Sequence, residues 1–192
     1  MLARSDAGVA VVGKSAALPF DVSPVQLGMR GTADGKRFEI IGRIRWGWTD
    51  GSWNEWLMLF DDGGNGWLSD AMGQFMVLRE RPFATVDFGP MADVAKGRDA
   101  IPGTEISFDD MKWTVGDARE VLCLAAEGEL PFQPRPGYRV YSVDLRTAGG
   151  DCASVQRDEA ETTFYQGRYV TLEELAPQGL RAFDDWATPA YG

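Results

Sequence analysis

The feature that most constrains the fold of this chain is a tryptophan-rich stretch at residues 36–68, which holds five of the seven tryptophans. From residue 38 onward, apolar side chains alternate with charged or polar ones. This period of two is typical of a β-strand with one buried and one solvated face. The alternating apolar positions are Phe38, Ile40, Ile44, Trp46 and Trp48. A single ribbon cannot bury so much indole surface, so the stretch predicts a larger sheet closed by the remaining chain.

A second strand is predicted directly after the first. Asp50-Gly51 indicates a hairpin, because a type I′ turn needs positive φ angles that Asp and Gly tolerate. The strand that follows, Trp53 to Phe60, is apolar on both faces apart from Asn54 and Glu55. Such a strand is either enclosed between two layers of the protein or covered by a partner.

Composition excludes several classes of function. The 192 residues carry a net charge of −10 and include no histidine. The negative charge opposes phosphate backbones and anionic lipid, so nucleic-acid binding and direct membrane insertion are not expected. Without imidazole, Ser-His-Asp and Cys-His catalysis are excluded. The sequence therefore predicts no catalytic residues, no cofactor and no metal site. It leaves enzymatic activity open while favouring a non-enzymatic role.

The two cysteines bear on the cellular compartment. Cys123 and Cys152 lie on predicted strands and cannot form a CxxC metal site, so buried thiols are expected, with a disulfide as the alternative if their strands pair. The N-terminal apolar run is interrupted by Asp6 and Lys14, and no run approaches membrane-spanning length. A cytoplasmic location is the resulting expectation.

The chain divides around a Gly- and Pro-containing segment at 89–102. An N-terminal arm, either frayed or an edge strand, is expected before two β-rich halves that pack together as one structural unit. The predicted parts are an N-terminal arm at 1–23, a first β half at 24–88, a second β half at 103–176 and a C-terminal tail at 177–192.

The two halves share positions at nearly constant spacing. At a spacing of 75, Gly28, Asp34, Phe38 and Ile40 match Gly103, Asp109, Trp113 and Val115. At a spacing of 86, Leu57, Leu59, Gly63, Gly64 and Asn65 match Val143, Leu145, Gly149, Gly150 and Asp151. This pattern predicts an internal repeat, with chance matching of turn residues as the alternative. The predicted fold is all-β and mainly antiparallel, with two similar meanders packed as a sandwich or as paired small barrels.

A short C-terminal helix is predicted after the last strand. Thr171 and Glu174 have the spacing of a capping box, in which each side chain bonds the backbone of the other residue. Pro177 limits the length of this helix.

Four groups of residues occur in order along nearly the whole chain: LGMRGTADGKRFEIIGRIRW; WNEWLMLFDDG with GWLSDAMGQF; AEGELPFQPRPGY with VDLR; and YQGRYVTLEEL. Together they resemble the bacterial family known as domain of unknown function 4178, over about residues 17–176. The most distinctive pieces are Trp53-x-Glu55-Trp56 and the EGELP sequence at 127–131. Many relatives carry a zinc-ribbon-like segment in front of the domain, which this sequence lacks, so the resemblance implies no zinc. It implies one β-rich unit and supplies no activity.

Four carboxylates form the first candidate site: Glu55, Glu127, Glu129 and Asp144. Carboxylates that share a pocket bind a divalent cation, raise one another's pKa, or accept a cationic ligand such as a polyamine. The structural alternative is that Glu55 and Asp144 accept hydrogen bonds from backbone amides or pair with Arg43, Arg45 or Arg139.

Tryptophans form the second candidate site. Trp53, Trp56 and Trp67 lie on or near the two-faced strand. A Trp-rich core is the favoured interpretation of the indoles, and Trp53 or Trp56 are the ones expected to be exposed if an aromatic face is open to a ligand. Two hypotheses follow. The first is a non-enzymatic module that binds a protein partner through this aromatic hairpin. The second is a small-molecule or divalent-cation site lined by the carboxylates.

Overall fold

The chain folds as antiparallel β-structure, as the sequence predicts. The computed structural model describes residues 10–12, 22–82 and 92–183, and only the backbone of 10–12. The strands of the described part are β1 (Ala10–Val12), β2 (Arg30–Ala33), β3 (Lys36–Trp48), β4 (Gly51–Phe60), β5 (Asn65–Ala71), β6 (Gln74–Arg81), β7 (Glu105–Phe108), β8 (Met111–Leu130), β9 (Arg139–Arg146), β10 (Asp151–Arg157) and β11 (Thr162–Val170). A short helix, α1 (Ala92–Ala95), precedes β7.

Eight of these strands close into one barrel. Strands β3 to β6 form one antiparallel meander, and β8 to β11 form a second. Strand β6 pairs with β11 and β3 pairs with β8, so the two meanders join at both edges. The expected sandwich or pair of small barrels is therefore not observed. Closure of the barrel pairs the backbone N–H and C=O groups on the edge strands of each meander, and a sandwich would leave these groups unpaired.

A β-bulge in β3 changes which side of the sheet its alternating apolar residues face. The register shifts between Ile40 and Gly42, so that Phe38 lies opposite Phe60 while Ile44 lies opposite Glu55. The apolar positions before and after the bulge therefore face opposite sides of the sheet. The prediction of one continuous buried face was wrong, because both faces of this sheet are covered.

The barrel interior and its two outer faces form separate cores. The interior core draws on seven strands around the ring and includes Ile44, Trp46, Leu57, Trp67 and Cys123. Outside the first meander, β2 and residues 22–29 and 171–180 cover a second core that includes Phe38, Trp56 and Phe60. Outside the second meander, α1 and β7 cover a third core that includes Trp113 and Phe164. The β4 strand is apolar on both faces because it lies between two of these cores.

The turns that lead into β3 and β8 are alike. Asp34 and Asp109 both have positive φ, at 52° and 51°. Matching backbone bonds follow: Gly28 N–H donates to the Ile40 oxygen and Gly103 N–H donates to the Val115 oxygen, both at 2.8 Å. These are positions that the sequence matches at a spacing of 75, although the origin of the two halves in a repeat stays a prediction.

Two local expectations were wrong. The β3–β4 hairpin turns at 49–50, since Trp48 pairs with Gly51, and neither Asp50 nor Gly51 has positive φ. The C-terminal helix is only a 3₁₀ turn, Glu173–Leu175. Its capping box does form: Thr171 N–H donates to the Glu174 carboxylate at 2.6 Å, and Glu174 N–H donates to the Thr171 hydroxyl at 3.2 Å. The chain then turns left-handed at Ala176 and cannot continue as a helix.

Three other expectations concern the ends of elements. The three prolines of the run at 127–137 predict that it lies outside any central strand, yet β8 continues through Leu130 and pairs with β3 and β1. The edge strand expected within residues 1–23 is β1. The short strand expected at 83–88 lies outside the described residues. No helix in the described part of the chain is long and apolar enough to cross a membrane.

A candidate binding site at one end of the barrel

Polar side chains gather inside the barrel on two pairs of neighbouring strands, β4 with β5 and β9 with β10. Strand pairing places Glu55 of β4 beside Ser69 of β5, and Asp144 of β9 beside Ser154 of β10. Since cross-strand partners project to the same face, these side chains and the interior core share one side of the sheet. Polar residues thus occupy one end of an otherwise apolar barrel.

A cavity of about 130 Å³ opens at this end. It is lined by Glu55, Asp144 and Asp117, by the indoles Trp48 and Trp53, and by Ser69 and Ser154. Residues next to the β3–β4 and β5–β6 turns, including Met72, form its rim. The volume equals roughly four water molecules, enough for a small organic group but not for a large ligand held entirely inside.

Glu55 is the most deeply placed acid of the site. Its side chain is only 8% exposed. Trp46 Nε1 and Trp53 Nε1 donate hydrogen bonds to its carboxylate at 2.8 and 3.3 Å, and Gln156 Nε2 donates at 3.0 Å. Burial raises the pKa of Glu55, and these three hydrogen bonds oppose that rise. None of its three partners carries a charge, so the carboxylate is bonded but not neutralised.

Asp144 is the second acid. Its pKa is raised to about 6, chiefly by burial and also by the neighbouring carboxylates Asp117 and Glu55, while a hydrogen bond from Ser154 and the charge of Arg119 oppose the rise. Asp144 and Glu55 therefore repel each other across the cavity. An incoming cation would relieve this repulsion.

A cation of the chain itself lies at the mouth. Arg119 forms an ion pair with Asp117: Nη2 donates a hydrogen bond to Oδ1 at 2.7 Å, whereas Nε lies 2.5 Å from Oδ2 without hydrogen-bond geometry. Its guanidinium lies 4.5 Å above the Trp48 ring. The rings of Trp48 and Trp53 are themselves 5.7 Å apart, so the mouth has a continuous aromatic wall.

One buried hydroxyl near this site has no partner. Ser142 is 4% exposed, and its Oγ has no hydrogen bond. On β9 it lies two residues from Asp144 and on the same face, with Arg119 of β8 and Gln156 of β10 as its cross-strand neighbours. A buried hydroxyl without a partner is costly, so this atom is available to a ligand or to water.

The structure brings together three of the seven residues that the sequence singled out: Trp53, Glu55 and Asp144. Trp67 is buried in the interior core and Trp56 in the core outside the first meander. The expectation that Trp53 or Trp56 is exposed was wrong for Trp56, which is fully buried beneath the Arg43 guanidinium at 4.8 Å. Trp53 is partly exposed.

The other two carboxylates lie elsewhere. Glu127 forms an ion pair with Arg43 at 3.1 Å, and these two residues are cross-strand partners opposite Trp56 rather than Glu55. Glu129 is exposed and pairs through the backbone with β1. Glu127 is therefore held in a structural ion pair. The structural alternative does not hold for Glu55, because its hydrogen bonds come from two indole N–H groups and a side-chain amide and not from a backbone amide or an arginine.

Sequence reasoning missed Asp117, Arg119, Ser142, Ser154 and Gln156. A signal for three of them was present in the alternation of β9 and β10. These strands carry polar side chains at every second position, namely Ser142 and Asp144 on β9 and Ser154 and Gln156 on β10. That pattern indicates a polar patch on one face of two adjacent strands.

Comparison with known proteins identifies the family. A family model described as a domain of unknown function, DUF4178, matches residues 26–172. The chain belongs to this family. The matched region contains both meanders, and with them the residues that line the cavity of this chain. No curated protein and no solved structure matches the chain. Within the described residues of this DUF4178 protein, no group of three or more His, Cys, Asp or Glu side chains is placed to hold a metal ion.

Proposed function

We propose that this DUF4178 protein binds a small organic cation, with an ammonium group inserted into the open end of the barrel. One observation carries the proposal: Glu55 is buried, faces the cavity and accepts three hydrogen bonds, yet none of its partners is charged. Burying a carboxylate without a counter-charge is expensive. A bound ammonium group would supply the missing charge.

The remaining walls of the cavity suit the same ligand. An ammonium group beside Glu55 and Asp144 would be attracted by both acids, and its alkyl part would lie against Trp53. Aromatic faces attract cations, most strongly where water is excluded. The unpaired Ser142 hydroxyl is a further hydrogen-bonding group in the same part of the barrel. The small volume favours a linear amine whose remaining length extends past the rim.

Binding of a protein partner through the aromatic hairpin stays a prediction. It has less support than the cation site, because Trp56 is fully buried and only Trp53 of the hairpin's predicted pair remains partly exposed. A divalent cation is also untested, and it enters the experiment below as a separate ligand.

The test is a thermal-shift and calorimetric titration with n-butylammonium, 1,4-diaminobutane, n-butanol, Mg²⁺ and Ca²⁺ at matched ionic strength. We expect the amines to stabilise the protein and n-butanol not to, with about 2.7 kcal/mol of stabilisation at about 100 times the dissociation constant. The double variant Glu55→Gln and Asp144→Asn should lose this response. Glu129→Gln is the matched control, because it removes an acid that lies outside the cavity.

The outcomes separate the alternatives. An equal response to n-butanol would mean that the cavity selects for shape and not charge, and a response that survives in the double variant would place binding elsewhere. Either result would contradict the proposal. A response to Mg²⁺ or Ca²⁺ but to no amine would favour the divalent-cation hypothesis instead.

A further inference from the structure

Arg119 already occupies a cation position at the mouth of the cavity. Its guanidinium lies on the Trp48 ring and forms an ion pair with Asp117 that includes one hydrogen bond, from Nη2. Both Trp48 and Asp117 line the cavity. An aromatic face and a carboxylate that hold a guanidinium in this way form a binding position for a cation, here filled by the protein itself.

The ion pair between Arg119 and Asp117 neutralises only part of the negative charge at the cavity. Three carboxylates line it, Glu55, Asp117 and Asp144, and the Arg119 ion pair engages Asp117. The outer position, formed by Trp48 and Asp117, is thus neutralised, while the inner position beside Glu55 and Asp144 is not. Ser142 lies directly across from Arg119 on the next strand, and its hydroxyl has no hydrogen-bond partner. This is independent evidence that the interior behind the guanidinium holds a polar group that can bond a ligand.

We propose that Arg119 determines the specificity of the site: by filling the outer position it leaves only the inner position open to an ammonium group, so that a second ammonium group on the ligand adds no affinity. This inference rests on the proposed function. Without the guanidinium, Trp48 and Asp117 would accept a second cationic group, and the site would prefer a diammonium ligand. Asp117 and Arg119 are only partly buried, at 39% and 35% side-chain exposure, so the guanidinium can leave the mouth without disturbing the core.

A purely structural role for Arg119 predicts something different. In that case its removal would lower the stability of the β8 edge of the mouth and weaken all ligands alike. The ratio of two affinities separates the roles, because a general loosening of the site cancels in the ratio. n-Butylammonium and 1,4-diaminobutane have the same chain length and differ by one charge.

The experiment measures the dissociation constants of both amines by calorimetry at low salt, for the wild type, Arg119→Gln and Arg119→Lys. We expect the wild type to bind the two amines with similar affinity. In Arg119→Gln the preference for the diamine should rise about tenfold, the size of one partly exposed charge–charge contact. Arg119→Lys, which keeps the positive charge, should behave like the wild type. Arg139→Gln is the matched control, since Arg139 makes an exposed ion pair with Glu120 away from the cavity.

The possible results lead to different conclusions. An unchanged ratio in Arg119→Gln, or the same rise in Arg139→Gln, would overturn the inference even if the wild type binds amines. If neither the wild type nor the Gln variant binds an amine, the proposed function fails and the inference fails with it. If the wild type binds none and Arg119→Gln binds the diamine, the outer position is supported while the function of the wild type is not. Should the Gln variant not fold, Arg119→Met carries the same test, since its apolar stem still packs on Trp48.

Discussion

Replacing Asp144 by Asn should change how the stability of the protein depends on pH. Burial raises the pKa of Asp144 from 3.8 to about 6, with Asp117 and Glu55 adding to the rise. The folded protein therefore holds a proton on this group between about pH 4 and pH 6, where the unfolded chain has released it. The stabilisation from Asp144 is complete below about pH 4 and is lost as the pH rises through about 6.

The size of this change in stability follows from the shift in the pKa of Asp144. About two pKa units at about 1.4 kcal/mol each give about 3 kcal/mol, and the partial solvent exposure of Asp144 reduces this to about 2 kcal/mol. The amide that replaces the carboxyl group does not titrate and has no charge to desolvate, so its contribution to stability stays constant with pH. We therefore expect Asp144→Asn to gain about 2 kcal/mol relative to the wild type between pH 4 and pH 8.

Urea denaturation of both proteins at pH 4, 6 and 8 measures the difference. Only its change with pH matters, since the amide also adds a constant offset. Asp61→Asn is the control, because Asp61 is exposed and pairs with Arg37 far from the cavity. A difference between wild type and Asp144→Asn that stays flat across this range would refute the account of Asp144 as a desolvated acid.

Three further predictions concern closure and burial. Glu55→Ala should lower the free energy of unfolding by about 2 kcal/mol in urea titrations, because two indole N–H groups and one amide lose their acceptor. Gly167→Ala should cost about 3 kcal/mol in the same assay, since its Cβ would lie 1.7 Å from a β6 carbonyl oxygen at the seam of the barrel, whereas Gly149→Ala, with 3.7 Å of clearance, should be nearly neutral. Burial raises the thiol pKa of Cys123 to about 11 and of Cys152 to about 12, so both should resist a thiol reagent at pH 8 until urea unfolds the chain.

Local sequence was sufficient for much of the fold. The alternation of β3 and the turns at Asp34 and Asp109 predicted antiparallel strands, since they depend on side-chain spacing and on backbone angles within a few residues. The bulge at residues 40–42 was not predictable from the same pattern. Apart from Gly42, the even-numbered positions of β3 from Phe38 to Trp48 are apolar and indicate a single face, and only the pairing with β4 shows that they face two different cores.

The candidate site depends on contacts that are distant in sequence. Glu55 was singled out together with Glu127, Glu129 and Asp144, but only Asp144 joins it at the cavity. Whether two acids meet is set by which strands pair and by their register, and a shift of one residue would turn each side chain to the opposite face. The same dependence explains why Arg119 and Asp117 were missed.

The sequence by itself determined that this chain forms antiparallel strands, places its turns at Gly and Asp, and belongs with a family of matching motifs. Only the tertiary structure decided that two meanders close into one barrel, that Trp56 is fully buried, and that Glu55 lies buried without a charged partner. The physical reason is one of range. Strand propensity and turn geometry act over a few residues, whereas burial, desolvation and charge pairing are fixed only when the β3–β8 and β6–β11 seams close.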